Sequence, residues 1–236
     1  MSVSEKICLA LDFSSGKEAS AFADRFEGRV GWFKVGLELF VAEGPSLVAA
    51  IARKGNVFLD LKLHDIPTTV ARAAAAAVST GASMINVHAS GGREMMMRAA
   101  ESLAAEAARR GGERPRLIAV TLLTSIGEQA LAELPFAGSV EEVAARLAFL
   151  AADSGLDGVV CSATDLLEVR KACGPEFLTV VPGIRPAFAS ADDQQRVATP
   201  RAALAAGASI LVIGRPVTRA ADPEKALDAI LVDLGS

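Results

Sequence analysis

Ionisable side chains lie along residues 58–65, whose sequence FLDLKLHD otherwise has the composition of a buried β-strand. Because successive side chains of a strand point to opposite faces, Asp60 and Lys62 share one face with Phe58, and the three leucines share the other. Burying a charge costs several kcal/mol unless it is paired, so a fold that keeps such a pair usually needs it for chemistry. An ammonium group held beside a carboxylate can donate a proton and stabilise a developing negative charge. The alternative is a structural ion pair that anchors the end of the strand.

Two arginines in separate loops of the C-terminal half predict an anion site. Arg185 ends the loop sequence PGIR, and Arg215 ends the loop sequence IGR. The glycines allow backbone N–H groups to approach an anion, and each guanidinium group matches two phosphate oxygens. These loops favour a phosphorylated small molecule as the substrate. The alternative is that each arginine pairs with a surface carboxylate.

Short apolar runs alternate with longer helical stretches along the whole chain, which is typical of a parallel sheet built from βα units. Eight strands are predicted, at Ile7–Phe13, Gly31–Gly36, Val57–Leu63, Met84–Ala89, Leu117–Leu123, Gly158–Ser162, Leu178–Pro182 and Ile210–Gly214. The predicted helices include Thr68–Thr80, Gly92–Arg110, Val140–Ser154, Asp165–Ala172, Pro200–Ala206 and Pro223–Asp233. Eight such units favour a closed (β/α)8 TIM barrel, with an open doubly wound sheet as the alternative.

The barrel hypothesis predicts where the active site lies, since in such barrels it is built at the carboxyl ends of the strands and in the loops that follow. Polar residues occupy these positions along the chain. They are Asp12, Lys34, Asp60, Lys62, His88, Thr124, Ser125, Arg185 and Arg215. Each one alone could serve a turn, but their joint placement at one end of a barrel indicates a common site.

The composition excludes several classes of protein. The 236 residues, 51% apolar and 22% charged with a mean hydropathy of +0.36, predict one globular domain over residues 1–236. The net charge of −4 argues against general binding to nucleic acid or to an anionic membrane. No apolar run reaches the roughly 18 residues of a membrane span, and the N-terminus lacks the layout of a signal peptide. We therefore expect a cytoplasmic protein.

The cysteines and histidines do not predict a metal site. Cys8, Cys161 and Cys173 are widely spaced, and the first two fall in apolar strands, so we expect reduced, buried thiols. With two histidines and no Cys-x-x-Cys motif, a zinc site is not expected. We expect His64 and His88 to be hydrogen-bonded parts of the barrel interior rather than acids or bases.

The stretch Ala187–Arg196 is polar, follows the loop of Arg185 and shows little helical periodicity. One interpretation is a lid that orders over bound substrate and excludes water. The other is an ordinary surface loop that leads into the next helix. In the first case Gln194 or Gln195 would offer an amide that bridges the phosphate and the base.

Seven short motifs occur in order from the first predicted strand to the last. They are LD at 11–12, FKVG at 33–36, DLKLHDIPTT at 60–69, LTS at 123–125, VPGIR at 181–185, DDQ at 192–194 and IGR at 213–215. Together they closely resemble the orotidine 5′-phosphate decarboxylase family of bacteria over essentially the whole chain. The motif Asp-x-Lys-x-x-Asp alone would be weak evidence for the family, because three fixed positions recur by chance. The ordered set of seven motifs is specific evidence for it.

The resemblance implies a cofactor-free decarboxylase that converts orotidine 5′-monophosphate to UMP and CO2 in pyrimidine nucleotide synthesis. It implies that Lys62 is the general acid that protonates C6 of the pyrimidine and that Asp60 lies against the departing carboxylate. Lys34 and Asp65 would complete an alternating array of charges. The chemistry needs such a cation, because loss of CO2 leaves a carbanion at C6 that the ring delocalises poorly.

The substrate-binding residues also come from the resemblance. Asp12 and Lys34 would bind ribose hydroxyl groups, and Thr124 with its neighbour Ser125 would contact the edge of the pyrimidine. The loops near the phosphate would contribute Pro182, Arg185, Gln194, Gly214 and Arg215.

The resemblance further implies a homodimer in which Asp65, Ile66 and Thr69 reach the active site of the partner subunit. The expected partners are thus the substrate and a second copy of the chain, with no cofactor and no metal. The sequence itself carries no motif for the dimer, since a self-complementary surface has no fixed pattern.

Two other functions fit part of the pattern. Mg²⁺-dependent sugar-phosphate lyases that resemble 3-keto-gulonate 6-phosphate decarboxylase have similar residues at Asp60, Lys62 and Asp65. They carry an acidic residue where this chain has Lys34, whose cation should repel Mg²⁺. A non-catalytic barrel that senses UMP would need phosphate and base contacts but not a buried cation aimed at C6. The residues favour the decarboxylase over both.

Overall fold

Eight parallel strands close into a barrel in chain order in a computed structural model that describes residues 2–186 and 196–235. The strands are β1 Ile7–Ala10, β2 Trp32–Gly36, β3 Asn56–Leu63, β4 Met84–His88, β5 Arg116–Val120, β6 Gly158–Val160, β7 Leu178–Val181 and β8 Ile210–Ile213. The TIM-barrel prediction is confirmed, and the open sheet is excluded because β1 pairs with β8. Most strands end earlier than predicted. β1 stops at Ala10 and β5 at Val120. The N–H groups of Leu11 and Thr121 still donate to the neighbouring strands, and the residues after them form loops at the mouth of the barrel.

Helices connect the strands on the outside of the barrel. They are α1 Gly16–Phe26, α2 Leu37–Glu43, α3 Pro45–Ala52, α4 Pro67–Val78, α5 Arg93–Arg110, α6 Glu128–Leu131, α7 Val140–Asp153, α8 Leu166–Cys173, α9 Pro200–Ala205, α10 Arg215–Thr218 and α11 Pro223–Gly235. Short 3₁₀ turns cover Ser4–Lys6, Ala89–Gly91 and Ala163–Asp165. The six predicted helices are confirmed to within two residues at each end.

Local signals explain where several helices begin and end. Ser139 caps α7, because its hydroxyl oxygen accepts the N–H of Glu142 while the Glu142 carboxylate accepts the N–H of Ser139. Pro67 occupies the first turn of α4, where its fixed φ suits a helix and no N–H is needed. Gly111 ends α5 in the left-handed conformation, which glycine adopts without steric cost.

Apolar side chains form two layers separated by the strands. One layer fills the barrel interior with Cys8, Ala10, Trp32, Phe58, Met84, Ile118, Val120, Val160, Leu178, Val180, Ile210 and Val212. The larger layer packs the outward strand residues, such as Leu9, Leu59 and Ile85, against the helices. Because neighbours along a strand alternate between the layers, both faces are buried, as in other parallel barrels. Cys8 and Cys161 are free and buried, as the sequence predicts, whereas Cys173 is free but only half-buried.

Among the described residues there is no helix with the length and apolarity that a bilayer crossing requires.

The amino end of the barrel is tied together by one half-buried arginine on α8. The guanidinium group of Arg170 donates to the carbonyl oxygens of Gly174, Pro175, Phe177 and Gly207 at 2.5–3.1 Å. It also donates to the hydroxyl groups of Thr179 and Ser209, at 2.7 and 3.1 Å. Arg170 therefore joins α8 to the residues that enter β7 and β8.

We expect Arg170→Met to lower the free energy of unfolding by about 2–4 kcal/mol, because several partly buried carbonyl groups lose their donor together. Urea denaturation followed by circular dichroism measures the change. Arg98→Met is the matched control, since Arg98 is exposed and forms an ion pair with Glu94 one helical turn away. The control should shift stability by no more than about 0.5 kcal/mol. Equal effects of the two substitutions would contradict the role of Arg170.

Candidate active site

A cavity of about 230 Å³ opens at the carboxyl ends of the strands, where the sequence predicts the active site. Nine of the predicted site residues line it: Asp12, Lys34, Asp60, Lys62, Thr124, Pro182, Arg185, Gly214 and Arg215. They come from β2 and β3 and from the segments that follow β1, β5, β7 and β8. Closure of the barrel is what brings these distant segments to one mouth.

The Asp60 carboxylate is the centre of the charged wall. It is 8% exposed, and its Oδ1 accepts from Lys62 Nζ at 2.7 Å and from the Asn86 side-chain amide at 2.7 Å. Lys34 Nζ lies 3.4 Å from its other oxygen. Burial raises the pKa of Asp60, but the two ammonium groups and the hydrogen bonds outweigh burial and hold that pKa below its ordinary value. Asp60 is therefore ionised at neutral pH.

Lys34, in the middle of β2, lies between two carboxylates. Its Nζ donates to Asp12 Oδ1 at 3.0 Å and forms the ion pair with Asp60. Burial lowers the pKa of Lys34, but the two carboxylates outweigh this effect and raise the pKa above its ordinary value. Space around this ammonium group is limited, because a Cβ at Gly36 would lie 3.1 Å from Nζ. The side chains thus form a row of alternating charges in space, in the order Asp12, Lys34, Asp60 and Lys62.

Strand β3 becomes irregular where it carries Lys62. Leu59 pairs with Ile85 of β4, but the next paired residues are Leu63 and Val87, so β3 advances four residues while β4 advances two. Lys62 has φ +53°, the only positive φ outside glycine among the described residues. Its side chain is 35% exposed and points into the cavity. The leucines 61 and 63 still pack toward the helices, as the alternation predicts.

The opposite wall of the cavity is apolar. It is formed by inward residues of β5, β6 and β8 and by the residues that follow β5, namely Val120, Leu122, Leu123, Val160 and Val212. Cys161 also lines this wall. Because burial raises the pKa of its thiol, the side chain is neutral and serves in packing. The cavity can therefore hold a flat, partly apolar ring against one wall and a charged substituent against the other.

The predicted phosphate end of the cavity lies at the loops after β7 and β8. Gly183 has φ +77°, a conformation that favours glycine, and Arg185 two residues later is buried. Ile184 pairs in parallel with Ala198, and backbone hydrogen bonds join Arg185 N to Ala198 O and Ala198 N to Gly183 O. This short ladder fixes the backbone that carries Arg185. Arg215 is the first residue of α10 and also lines the cavity.

A buried ion pair that the sequence did not predict holds the loops of this end together. Arg196 Nη1 donates to Asp165 Oδ1 at 2.6 Å, and Nη2 donates to the carbonyl oxygen of Leu123 at 3.1 Å. Asp165 is fully buried; burial raises its pKa, and Arg196 and the Ser162 N–H act against that rise. Arg196 therefore connects the loops that follow β5, β6 and β7.

Some predicted residues lie away from this cavity. Asp65, Ile66 and Thr69 are exposed at the end of β3 and the start of α4, and Ile66 is 66% exposed. Ser125 is exposed, so Thr124 is the member of that pair that faces the cavity. Gln194, and all of the predicted lid except Arg196, lie outside the described residues.

One expectation about the histidines is wrong. His64 is exposed rather than part of the barrel interior, because the irregular end of β3 carries it out of the mouth. His88 ends β4 half-buried, with its ring centroid 5.4 Å from that of His64. Burial lowers the pKa of His88, and the nearby His64 and Lys62 lower it further, so His88 is neutral at pH 7.

Asn86 belongs to the site although the sequence does not predict it. It lies in the middle of β4, is fully buried, and contacts both Asp60 and the backbone of Lys62. A signal for it was present, because the residues 84, 86 and 88 alternate toward the barrel interior, and an amide there needs partners. β4, with the sequence MINVH, carries no motif of charged residues like that of β3.

Several known proteins are similar to this chain in sequence and in structure. Residues 5–230 match the sequence model of the family described as orotidine 5′-phosphate decarboxylase / HUMPS. The chain is 48% identical over 230 residues to orotidine 5′-phosphate decarboxylase of Trichlorobacter lovleyi, covering 97% of this chain and 95% of that one. It is 52% identical over 229 residues to the enzyme of that name in Chromobacterium violaceum, with coverage of 97% and 91%. A crystal structure of orotidine 5′-phosphate decarboxylase from Lactobacillus acidophilus is similar with a TM-score of 0.85 and 35% identity, over 98% of this chain and 99% of that one.

We expect Arg196→Met and Asp165→Asn each to lower the free energy of unfolding by about 3–5 kcal/mol, because each leaves a buried charge without its partner. The double variant should lose clearly less than the sum of the two single losses, since both members of the pair are then gone. Urea denaturation of the four proteins measures this cycle. Additive losses would show that the two residues do not stabilise each other.

Proposed function

The chain belongs to the orotidine 5′-phosphate decarboxylase / HUMPS family, and from this membership we propose that it decarboxylates orotidine 5′-monophosphate to UMP and CO2 without a cofactor. The observation that carries the proposal is the charged wall of the cavity, where Lys62 and Lys34 share the carboxylate of Asp60. Loss of CO2 from the pyrimidine requires a fixed cation beside the carbon that loses it. Lys62 supplies that cation.

Lys62 is the proposed general acid. The bond between C6 and the carboxyl carbon breaks, CO2 leaves, and the electron pair stays on C6 of the ring. The ammonium group of Lys62 stabilises this charge and gives C6 a proton, which forms UMP and leaves a neutral amine that regains a proton from solvent. Because Asp60 already holds Nζ at 2.7 Å, the donor is oriented before the substrate arrives.

Asp60 acts on the carboxylate group of the substrate. Its ionised carboxylate faces the site of the substrate carboxylate, and the repulsion between them disappears when CO2 leaves. Preorganised stabilisation of the developing charge by Lys62 is the larger contribution in this proposal, and repulsion in the ground state is the smaller one. Asp65 of a second subunit completes the array.

The remaining cavity residues bind the parts of the substrate that do not react. Asp12 and Lys34 bind the ribose hydroxyl groups, and Thr124, with Ser125 beside it, contacts the pyrimidine edge. The phosphate lies at the loops after β7 and β8, with the contacts Pro182, Arg185, Gln194, Gly214 and Arg215. Binding energy from these remote contacts positions C6 against Lys62.

The sugar-phosphate lyase alternative conflicts with the position of Lys34. Its ammonium group lies within 3.4 Å of both Asp12 and Asp60, the carboxylates that would otherwise be available to a divalent ion. A cation in that place repels Mg²⁺. The structure offers no observation that favours this alternative over the decarboxylase.

The protein is proposed to act as a homodimer in the cytoplasm. Asp65, Ile66 and Thr69 follow the charged wall directly, are exposed in the single chain and include a large apolar side chain. In the dimer each set enters the cavity of the partner subunit. The end of β3 thus serves two active sites, with Asp60 and Lys62 in their own and Asp65 in the other.

We expect Lys62→Ala to abolish UMP formation, because the reaction then lacks both its proton donor and its fixed cation. Loss of the orotate absorbance measures turnover, and circular dichroism shows that the variant folds. Lys171→Ala is the control, since Lys171 is an exposed lysine paired with Glu168 on α8. Wild-type turnover should continue in EDTA. Turnover of Lys62→Ala near the wild-type rate would rule out the assigned role.

We expect co-expressed Lys62→Ala and Asp65→Ala chains to regain about a quarter of the wild-type activity, although each variant alone is inactive. Random pairing makes about half of the dimers mixed, and one of the two sites in a mixed dimer receives both intact residues. Co-expression of Lys62→Ala with Asp60→Ala is the matched control, because those residues serve the same site and no intact site can form. Equal activity from both mixtures would contradict the shared site.

A further inference from the structure

Asn86 makes two contacts that both concern Lys62. Its side-chain oxygen accepts the backbone N–H of Lys62 at 2.8 Å. Its side-chain nitrogen donates at 2.7 Å to Oδ1 of Asp60, the same oxygen that accepts from Lys62 Nζ at 2.7 Å. A single amide therefore holds the backbone from which the ammonium group extends and the carboxylate that orients it.

The backbone contact compensates for the irregularity in β3. Between the pairs Leu59–Ile85 and Leu63–Val87 the regular ladder is interrupted, so the N–H of Lys62 has no strand carbonyl opposite it. The side chain of Asn86, which lies between those two pairs on β4, takes the place of that carbonyl. The left-handed conformation of a residue other than glycine costs about 1–2 kcal/mol and persists only where its surroundings impose it. Asn86 supplies one of the contacts that impose it.

The position of Asn86 separates this role from substrate binding. Its side chain is fully buried and is absent from the residues that line the cavity. The charged groups of its hydrogen-bond network are Asp60 and Lys62 on β3 and, through Asp60, Lys34 on β2. His88, the titratable residue of β4 itself, is neutral at pH 7. On β5 the paired residue is Ile118, which carries no charge. Asn86 therefore acts on the reaction through its contacts with Asp60 and Lys62.

We propose that Asn86 is a positioning residue that fixes the ammonium group of Lys62 for proton transfer, by holding its backbone and its carboxylate partner at once. This inference rests on the proposed function, in which Lys62 protonates C6. In this proposal the strained backbone at Lys62 of β3 is held in place by a residue of the neighbouring strand β4.

The first test is Asn86→Ala, with kcat and KM measured on orotidine 5′-monophosphate. We expect kcat to fall about 100-fold, because the ammonium group of Lys62 and the carboxylate of Asp60 are no longer held in a fixed orientation. KM, and the dissociation constant of UMP, should stay within about threefold of wild type, since the phosphate and ribose contacts are untouched. A kcat within about threefold of wild type would overturn the proposal, and so would a rise in KM at unchanged kcat.

The second variant, Asn86→Asp, keeps the acceptor for the Lys62 N–H but replaces the donor toward Asp60 by a carboxylate. Protonation of the new carboxyl group restores a donor, and its proximity to Asp60 raises its pKa. We therefore expect the ratio of kcat for Asn86→Asp to kcat for wild type to rise as the pH is lowered from about 8 to about 5.5. The same ratio for Asn86→Ala should stay flat. A flat ratio for both variants would contradict the donor role.

Hydrogen exchange at the Lys62 amide tests the backbone contact without using activity. The amide should exchange at least about tenfold faster in Asn86→Ala, and at close to the wild-type rate in Asn86→Asp, which keeps the acceptor. If wild-type protein fails to convert orotidine 5′-monophosphate while the exchange behaves as expected, the proposed function fails and the positioning contact stands. Unchanged exchange in Asn86→Ala would overturn the contact.

Thr179→Val is the control for a loss of stability alone. Thr179 is also a fully buried polar residue of the barrel, but it lies at the opposite end and contacts Arg170 and Ser209. This variant should lower the melting temperature and leave kcat within about twofold of wild type. A fall in kcat equal to that of Asn86→Ala at matched stability would show that the effect of Asn86 is only structural.

Discussion

The site depends on the interactions of one buried group, the carboxylate of Asp60. It is buried, and a buried carboxylate persists only when cations and hydrogen bonds replace its lost hydration. Here Lys34 and Lys62 supply the cations and Asn86 supplies a neutral donor, so residues of three adjacent strands meet at one group. Without that carboxylate two ammonium groups would face each other. The position of each lysine is therefore a consequence of where Asp60 lies.

The closed barrel turns this local arrangement into a directional cavity. The charged groups come from β2 and β3, the apolar wall from β5, β6 and β8, and the arginines from the loops after β7 and β8. A ligand that meets all three must lie across the mouth, with an anionic group at one side and its reacting atom at the other. Arg196 joins the loops after β5, β6 and β7, so the apolar and anionic sides keep a fixed spacing. An open sheet would place β1 and β8 at opposite edges and separate these parts.

The sequence predicts the elements better than the contacts between them. Alternation of apolar runs identified all eight strands, and the polar residues at their carboxyl ends identified most of the cavity, because both signals are local. Asn86 and Arg196 were missed, since each gains its meaning from a partner that is distant in sequence: Asp60 for the first and Asp165 for the second. His64 was misplaced for a related reason. Strict alternation puts it inside the barrel, and only the interrupted pairing with β4 carries it out.

The irregularity of β3 also bears on why the Asp60–Lys62 pair exists. A buried ion pair contributes little net stability, because the desolvation of two charges offsets most of their attraction. Lys62 adds the cost of a left-handed backbone, and the interrupted ladder adds the loss of regular hydrogen bonds. An arrangement selected for stability alone would avoid all three costs by continuing the strand with apolar residues, as the opposite wall does with Val120 and Val160. The structural ion pair therefore does not account for this geometry, whereas a requirement to aim one ammonium group into the cavity does.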